Sequence, residues 1–530
     1  MLETRSELSS HSSPASRLLP EVLEFAFIWL HKMDRHDYDC GLGVPELSTR
    51  IAFSQVCRQW RQVAINCAAL WTDIPTHDTT WATLALQRSK SAPLSFRFTS
   101  ASRPGATAAC LSHLSRAHHV FIGDKVCRKV TKQVLDAFCV SDVPLLEELR
   151  IIEDHAFSWF IPIEVPADIF KGASPPLLRE LSLSNCALSH TSPLLAGTLT
   201  KLQLSLDCPV WDSIGDMLDA LHRMPLLESL SVTHSIARLS QPFTKAGSTV
   251  SRTLLPNLQD LAFQGDVRLL NPLLQHLTAP LQYKLHLDLF LQTFQEPEAR
   301  AQIQVLIDTA FRNKNPPFRH YRKARFEAES GRCLLSTVFH VQSGLRPTDI
   351  DMVSRIDPIG QLPQDLYLRV SWSHSAVASH RCILQSLCDA LPLDSVEEVE
   401  IDISKPLDKQ ANFTPAAIFS RLGAHAKSLR LRGDEASRLA FEHFPHVRSL
   451  ELVDVKSLNS EHPSAPRVLL QGVASWNSQK HSRDDREKGK RHLALVRSPV
   501  SYPTADFLKA WLGEDCVKFT DSLLVKTPVM

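Results

Sequence analysis

The chain has 530 residues, of which 44% are hydrophobic and 22% are charged, a balance typical of globular proteins rather than of disordered or membrane proteins. Its 58 basic and 57 acidic residues leave a formal net charge of +1, so charge gives no case for a nucleic-acid partner or an anionic surface. This length is too great for one ordinary compact domain. It indicates either several domains or a repeat array that takes up most of the chain.

The N-terminal residues and the cysteines predict an intracellular chain. Residues 1–17 are rich in serine and have no apolar core segment, so we expect a disordered leader and no secretory signal. The apolar run at 22–30 is interrupted by Glu24 and is shorter than the ~20 residues that span a bilayer. The cysteines are scattered, without the spacing of a disulfide framework. We therefore expect the cytoplasm, the nucleus or both, and no membrane.

A helix is predicted to begin at Pro20. Proline suits the first helical position, and Glu21 lies at the positive end of the helix dipole. Two apolar stripes follow, which predicts a helix covered on more than one side. The two stripes are Leu23, Phe27 and Leu30, and beside them Val22, Ala26 and Trp29.

A loop and a second helix are predicted next. Residues 31–48 are polar and predict the loop. The second helix is expected to have Ser48 or Thr49 as its N-cap, with Arg58 and Arg61 on its outer face. Its buried face is expected to hold Phe53, Val56, Trp60 and Val63.

Three segments between residues 18 and 75 resemble the F-box, specifically the expanded fungal F-box-like type. The segments are Leu19-Pro20-Glu21-Val22-Leu23, Val56-Cys57-Arg58-Gln59-Trp60-Arg61 and Leu70-Trp71. The long acidic connection between the first two helices departs from the family pattern.

The F-box resemblance implies a three-helix module that docks onto a Skp-type linker protein, which joins a cullin-based ubiquitin ligase. By family position, the core or contact residues of this protein-binding site are Leu19, Pro20, Val22, Leu23, Val56 and Trp60. The alternative is that all of them are core residues of a helical N-terminal cap.

From residue 144 onward a phrase recurs that fits the leucine-rich-repeat frame L-x-x-L-x-L. Clear copies start at Leu146, Leu178, Leu199, Leu227 and Leu258. Weaker copies include Leu285-His-Leu287, Leu366-Tyr-Leu368, Val396 to Ile401, Ala426 to Leu431 and Val447 to Leu452. The sequence therefore predicts a repeat-like array over 144–470, preceded by a linking and N-capping region at 76–143.

Each L-x-L phrase predicts a short strand with its leucines directed into a solenoid core and the intervening residues outward. Helices are expected between strands, at 214–222 and 301–311. The outward residues are mixed in charge and suit a protein-binding face, but for any single residue a solvated sheet face is the better explanation, so none is assigned to a site. They are Glu148, Arg150, Glu180, Ser182, Gln203, Ser229, Ser231, Gln259, Glu398, Glu400, Arg430 and Arg432.

The C-terminal region interrupts the repeat pattern. Residues 474–492 predict a charged disordered loop, in which Lys488, Lys490 and Arg491 are either solvated or a weak nuclear-import or phosphate-contacting patch. In the final segment, 493–530, residues 504–513 predict a short helix.

No enzyme motif is present, so we predict no catalytic residue, no cofactor and no metal site. The chain lacks a phosphate-binding loop, a G-x-S-x-G elbow, H-E-x-x-H and C-x-x-C. The adjacent His118-His119 and the pair His443/His446 are interpreted as surface or cap residues. Cys57 is interpreted as a small buried thiol.

Together these features predict an α/β chain: an N-terminal three-helix F-box-like module followed by an irregular leucine-rich-repeat-like solenoid. The function expected from the resemblance is that of a substrate-receptor adaptor, not an enzyme, with a Skp-type linker protein, a cullin and an unknown protein substrate as partners. The alternative is a non-ligase F-box-like scaffold or structural protein-interaction module.

Overall fold

The computed structural model is a mixed α/β protein with parallel sheets. It describes residues 18–39, 47–123, 128–152, 162–205, 211, 214–233, 252–279, 284–290, 296–309, 321–330, 334–343, 366–373, 396–402, 425–432, 444, 447–455, 473, 491–498, 500–520 and 524–525. The chain divides into two compact units, Met1–Trp211 and Asp212–Met530. None of the helices among the described residues is both long and apolar enough to cross a bilayer.

The first unit begins with helices and continues with helices between strands. The described helices are α1 (Pro20–Asp39), α2 (Leu47–Val56), α3 (Arg58–Asn66), α4 (Thr79–Arg88), α5 (Pro104–Leu111) and α6 (Arg128–Val140), with 3-10 turns at Ala68–Trp71, Leu114–Arg116 and Ile169–Gly172.

The strands of the first unit pair in parallel in the order β1-β2-β3-β4-β6-β8, and β5 pairs in parallel with β7. They are β1 (Asp73–Ile74), β2 (Leu94–Phe98), β3 (Ala117–Ile122), β4 (Glu148–Ile152), β5 (Ile163–Glu164), β6 (Glu180–Ser184), β7 (Cys186–Ala187) and β8 (Lys201–Ser205). Strands β2 and β3 of this sheet lie within residues 76–143, for which the sequence predicted a linking and N-capping region.

The core of the first unit lies against one face of this sheet. The register places Leu149, Leu181 and Leu202 side by side on β4, β6 and β8, and all three are buried. Because strand side chains alternate between faces, a leucine at every second position produces a continuous apolar row.

The second unit contains further parallel strands with helices between some of them. Its described helices are α7 (Ile214–His222), α8 (Val267–His276), α9 (Glu296–Ile307) and α10 (Tyr502–Leu512), with a 3-10 turn at Glu514–Cys516. Its strands are β9 (Ser229–Thr233), β10 (Thr253–Leu254), β11 (Asp260–Asp266), β12 (Leu277–Thr278), β13 (Lys284–Phe290), β14 (Tyr321–Ser330), β15 (Leu334–Ser343), β16 (Leu366–Ser373), β17 (Glu398–Asp402), β18 (Ser428–Arg432), β19 (Ser449–Val453), β20 (His492–Val496), β21 (Val500–Ser501), β22 (Val517–Thr520) and β23 (Leu524–Val525).

The main sheet of the second unit has the order β9-β11-β13-β16-β15-β14-β17-β18-β19-β20-β22. Only β15 runs antiparallel to its neighbours among these strands, since β14, β15 and β16 form a meander inserted between β13 and β17. Buried Ile401, Leu431, Leu452 and Leu495 form one inward row.

The strand and helix predictions of the repeat-like region are confirmed. Each quoted L-x-L phrase lies on a strand, α7 has the predicted bounds, and α9 and α10 overlap the predicted helices at 301–311 and 504–513. Ser182 and Glu400 were predicted to face outward into solvent, but both are buried.

Three predictions for the helical region are wrong. Residues 31–39 continue α1 instead of forming a loop, because a buried side chain, His31, anchors this part of the helix. The predicted second helix is two helices that meet at Cys57, whose backbone is extended (φ −157°, ψ 174°). Since α2 begins at Leu47, Ser48 and Thr49 lie inside the helix rather than at its N-cap.

Some predictions fall outside the described residues. These are the leader at 1–17, residues 40–46 of the predicted loop at 31–48, residues 474–490 of the charged loop, and the pair His443/His446. Of the predicted loop at 474–492, Arg491 and His492 are described, and His492 begins β20.

Candidate protein-interaction surface

One side of helix α1 is part of the protein core. Leu23 and Phe27 are each 1% exposed. The ring of Phe27 stacks on that of Phe53 with centroids 4.4 Å apart, and it meets Trp60 edge-on at 5.1 Å. Aromatic pairs in these geometries contribute beyond their buried area, so this cluster holds α1 against α2 and α3.

Buried polar contacts join the helices to the start of the sheet. His31 Nε2 donates to Asp73 Oδ2 at 2.9 Å. Arg50, fully buried on α2, donates to the carbonyl oxygens of Leu70 at 3.3 Å and Asp73 at 2.8 Å. Buried groups that are hydrogen-bonded in this way fix orientation, because moving the helix would leave them unsatisfied.

Trp71 adds further contacts between the helices and the start of the sheet. Its indole Nε1 donates to the carbonyl oxygen of Ala64 at 2.8 Å, and the Arg88 guanidinium lies 4.4 Å from the ring centroid. Desolvation lowers the pKa of Arg88, and its delocalised cation is well suited to contact with an aromatic face. The helices α1 to α3 and strand β1 are therefore held together by aromatic and polar contacts.

The other side of α1 carries an exposed apolar row, which we call the α1 stripe: Leu19, Val22, Phe25, Trp29 and Met33. Their exposed fractions are 65%, 47%, 72%, 54% and 46%. From Val22 the spacing is i, i+3, i+7 and i+11, which places the side chains on one helical face. At 1.5 Å per residue the stripe is about 21 Å long.

The start of α3 lies close to the start of the α1 stripe. Gln59 Nε2 donates to the carbonyl oxygen of Leu18 at 3.0 Å. Cys57 caps α3 by accepting the backbone N–H of Trp60 at its Sγ, 3.4 Å away. Val56, which precedes this cap, is 58% exposed. The prediction that Val56 belongs to a buried helix face is therefore wrong, because the break at Cys57 ends the face.

The six residues singled out by the F-box resemblance divide into two groups. Leu19, Pro20, Val22 and Val56 are exposed, whereas Leu23 is buried and Trp60 is half-buried against Phe27. The prediction that α1 is covered on both apolar sides is wrong for the described residues, since Val22 and Trp29 are exposed.

Sequence reasoning missed two members of this surface, Phe25 and Met33. Phe25 lies three residues after Val22 on the same helical face, a spacing already visible in the sequence. Met33 continues that spacing beyond Leu30, where the sequence predicted the end of the helix. The helix continues to Asp39, so the apolar row continues with it.

The buried thiols nearby offer no nucleophile. Burial, supported by the nearby carboxylate of Glu24, raises the pKa of Cys67 to about 11. Burial alone raises the pKa of Cys110 to about 12. Because the thiolate is the reactive form, both cysteines are inert at neutral pH.

No group of three or more histidine, cysteine or acidic residues suited to a metal ion occurs among the residues that the structure describes. No protein-family model matches the chain, and the search of curated proteins finds no match. The structure by itself thus defines a mixed α/β chain with an exposed apolar surface on its first described helix.

Proposed function

We propose that this chain is a non-catalytic adaptor. Its F-box-like module, α1 to α3, docks a Skp-type linker protein, which connects it to a cullin-based ubiquitin ligase, and its repeat-like sheets bind a protein substrate. The observation that carries the proposal is the α1 stripe, which leaves five apolar side chains in solvent on a helix whose opposite side is firmly anchored.

An exposed row of this kind is typical of a binding surface. Single exposed apolar residues are common on protein surfaces, but contiguous apolar rows mark interaction sites. Phe25 and Trp29 have the size and rigidity of residues that dominate interface energies. Because His31 ties α1 to Asp73 and Phe27 packs α1 against Phe53, the surface is preorganised and little conformational entropy is lost on binding.

The sequence order supports the F-box-like interpretation of this surface. The exposed residues Leu19, Pro20 and Val22 belong to the first segment of the resemblance, and Val56 belongs to the second. The hydrogen bond from Gln59 to Leu18 brings those two segments together.

The parallel strands support an irregular leucine-rich-repeat-like solenoid. Each copy of the repeated phrase supplies one strand, and equivalent leucines such as Leu149, Leu181 and Leu202 are in register. Stacking one phrase on the next is how repeat proteins build a continuous core.

The outward face of the first sheet suits a protein substrate better than a polyanion. Arg150 is 3.7 Å from Glu180 and also contacts Glu148, and Lys201 is 3.5 Å from Glu180. Charges of both signs alternate across the strands, so the face has no strong potential of one sign.

The adaptor acts by proximity. It transfers no group itself and instead holds a bound substrate near the ubiquitin donor, which raises the effective concentration of the reacting groups. The cytoplasm and the nucleus are the compartments in which we propose that it acts.

The test is capture of a purified Skp-type linker protein by the full chain, with affinity measured by calorimetry. We expect Val22→Asp and Trp29→Ala each to weaken capture at least tenfold, because each removes or charges an apolar contact at the centre of the surface. Val140→Asp is the matched control, since Val140 is 73% exposed on α6, outside the stripe. Circular dichroism must show that all three variants are folded.

Three results would redirect the proposal. Capture of the linker protein without recruitment of a cullin would favour the non-ligase scaffold. Failure of the wild-type chain to capture the linker would reduce the module to a structural cap, and equal capture by Val22→Asp would overturn the assignment of docking to the α1 stripe.

A further inference from the structure

Three cations of the first unit meet where helix α4 ends. Arg88 is the last residue of α4, and Lys90 lies in the turn that follows it. Lys90 Nζ donates to the carbonyl oxygen of Asn66, the last residue of α3, 3.2 Å away. Arg116, which directly precedes β3, donates from Nη2 to the hydroxyl of Ser89 at 2.8 Å. These contacts hold Arg88, Lys90 and Arg116 around one turn, and we call the three residues the basic turn.

The bonds that orient the basic turn leave its positive charge in place. Lys90 and Arg116 donate to carbonyl and hydroxyl oxygens, which carry no formal charge. The Arg88 guanidinium lies 4.4 Å from the centroid of the Trp71 ring. Burial lowers the pKa of both Arg88 and Arg116, the effect expected when a cation is removed from water without a carboxylate to compensate. The basic turn therefore presents net positive charge, with Lys90 exposed and the two arginines half-buried.

The sequence around the basic turn is almost free of acidic residues. From Leu47 to Thr72, and again from Thr79 to Gly123, it contains no aspartate or glutamate. The two acidic residues between these ranges are engaged in the fold. Asp73 is buried, and Asp78 accepts the backbone N–H of Trp81 at the start of α4, the opposite end of that helix from the basic turn. The net charge of +1 for the whole chain therefore conceals a strongly basic region.

Helix α3 extends this basic surface. Arg58 and Arg61 are exposed on α3. At 1.5 Å per residue, Arg58 lies about 12 Å along the helix axis from the last residue, which accepts the hydrogen bond of Lys90. On the side of α1 the surface is bounded by Glu24, whose carboxylate lies beside the thiol of Cys67. Positive charge thus runs from the start of α3 to the basic turn.

We propose that the basic turn and the exposed side of α3 bind an acidic segment of a partner protein, a stretch rich in aspartate and glutamate. Guanidinium and ammonium groups pair with carboxylates through charge-assisted hydrogen bonds. About four extended residues span the distance from Arg58 to Lys90, since each covers about 3.3 Å. The hydrogen bond from Gln59 to Leu18 places the start of α3 beside the start of the α1 stripe. The surface therefore adds an electrostatic contact next to the apolar one.

The chemistry of this surface favours a protein over a nucleic acid. Proteins that bind duplex DNA make about 6–10 phosphate contacts, more than the basic turn and α3 supply. Binding of single strands relies on exposed aromatic rings on which bases stack, whereas the ring at the basic turn, Trp71, is buried. Discrete carboxylates on a protein segment match a small number of fixed cations better than a continuous polyanion does.

The experiment measures binding of a fluorescently labelled polyglutamate peptide to the full chain by anisotropy at low ionic strength. We expect Lys90→Glu and Arg58→Glu each to weaken binding by about fivefold or more, because each replaces an attraction with a repulsion. Arg103→Glu is the matched control and should bind as the wild type does. Arg103 is exposed at the start of α5, and its side chain makes no capping hydrogen bond there. Added salt should weaken binding by the wild type, because it screens exposed charges.

Two further variants sharpen the result, and circular dichroism must show that every variant is folded. Lys90→Gln removes the charge without reversing it and should weaken binding by a smaller factor than Lys90→Glu. Val22→Asp should bind the peptide normally, so failure of linker docking and failure of this proposal are distinguishable. Equal binding by the wild type, Lys90→Glu and Arg103→Glu would overturn the proposal. So would tighter binding of a labelled DNA duplex than of the peptide, with the same loss in Lys90→Glu, which would assign the surface to nucleic acid.

Discussion

The α1 stripe and the inward leucine row of the first sheet are both regular apolar patterns, yet only one is covered. Leu149, Leu181 and Leu202 are at most 1% exposed, whereas Phe25 is 72% exposed. The row on the sheet is continued from strand to strand by the same repeated phrase, so each residue meets a matching neighbour. Among the described residues, no neighbouring helix or strand covers the α1 stripe in this way. Periodicity identifies residues that share a face, and only the packing shows whether that face is core or interface.

The sharpest test of this contrast compares two phenylalanines of α1. Phe27→Ala should lower the free energy of unfolding by about 3–5 kcal/mol, because it empties a buried site against Phe53 and Trp60. Phe25→Ala should change it by less than about 0.5 kcal/mol, as for most exposed positions. Urea unfolding followed by tryptophan fluorescence measures both.

The affinity for the linker protein should depend on Phe25 more than on Phe27, provided that both variants are folded. Phe25→Ala should weaken docking while leaving stability intact. If instead the two substitutions destabilise the chain equally, the α1 stripe is covered in solution and the contrast between covered and exposed apolar faces fails.

A second prediction concerns the polar anchor of α1. His31→Ala should cost about 1–3 kcal/mol of unfolding free energy, because it leaves the buried carboxylate of Asp73 without one of its hydrogen bonds. The neighbouring Lys32→Ala is the control, since Lys32 is exposed. Thermal or urea unfolding of the two variants gives the comparison, and an unchanged midpoint for His31→Ala would show that the junction does not depend on this pair.

The smallest expected effect is alkaline destabilisation through Cys110. Its pKa is raised from 9.0 to about 12 by burial, so the folded state keeps the thiol neutral while the unfolded chain ionises. Stability from this group is therefore complete below pH 9 and is lost as the pH rises towards 12. Linkage gives a loss of about 1.4 kcal/mol between pH 8 and pH 10.

Cys110→Ala isolates this contribution. Its unfolding free energy should fall less steeply than that of the wild type over the same pH interval, by the stated amount, even though the variant starts from lower stability. Parallel pH dependences for the two proteins would show that the Cys110 thiol is solvated in the folded chain.

Much of the fold was predictable because a strand with one buried face has an apolar residue at every second position. The L-x-L phrases located strands of both units, and α7 was predicted to the residue. Three strands before residue 144 were not recognised. The sequence Leu94-Ser95-Phe96-Arg97-Phe98 alternates like the others, but it lacks the leucine phrase that served as the marker.

The exposed apolar surface around the α1 stripe was predictable in part. The motif identified Leu19, Val22 and Val56, which the structure exposes, together with Leu23 and Trp60, which it packs inward. A sequence pattern cannot separate these groups, because core and interface use the same apolar residue types. Met33 was missed because polar residues after Leu30 favoured a loop, whereas the helix is held there by the contact between His31 and Asp73, 42 residues apart in sequence. Phe25 was missed because it belongs to neither of the two apolar stripes predicted for the helix.

The amino-acid sequence by itself determined the repeated strands, their inward leucines and individual helices such as α7, since these depend on local propensity and side-chain periodicity. Tertiary structure alone decided which side of α1 is buried, the extension of that helix to Asp39 and the contact between the rings of His118 and His119, where the register between β2 and β3 shifts. Each of these depends on contacts between residues distant in the chain or on a one-residue shift in strand register, and neither leaves a periodic trace in the sequence.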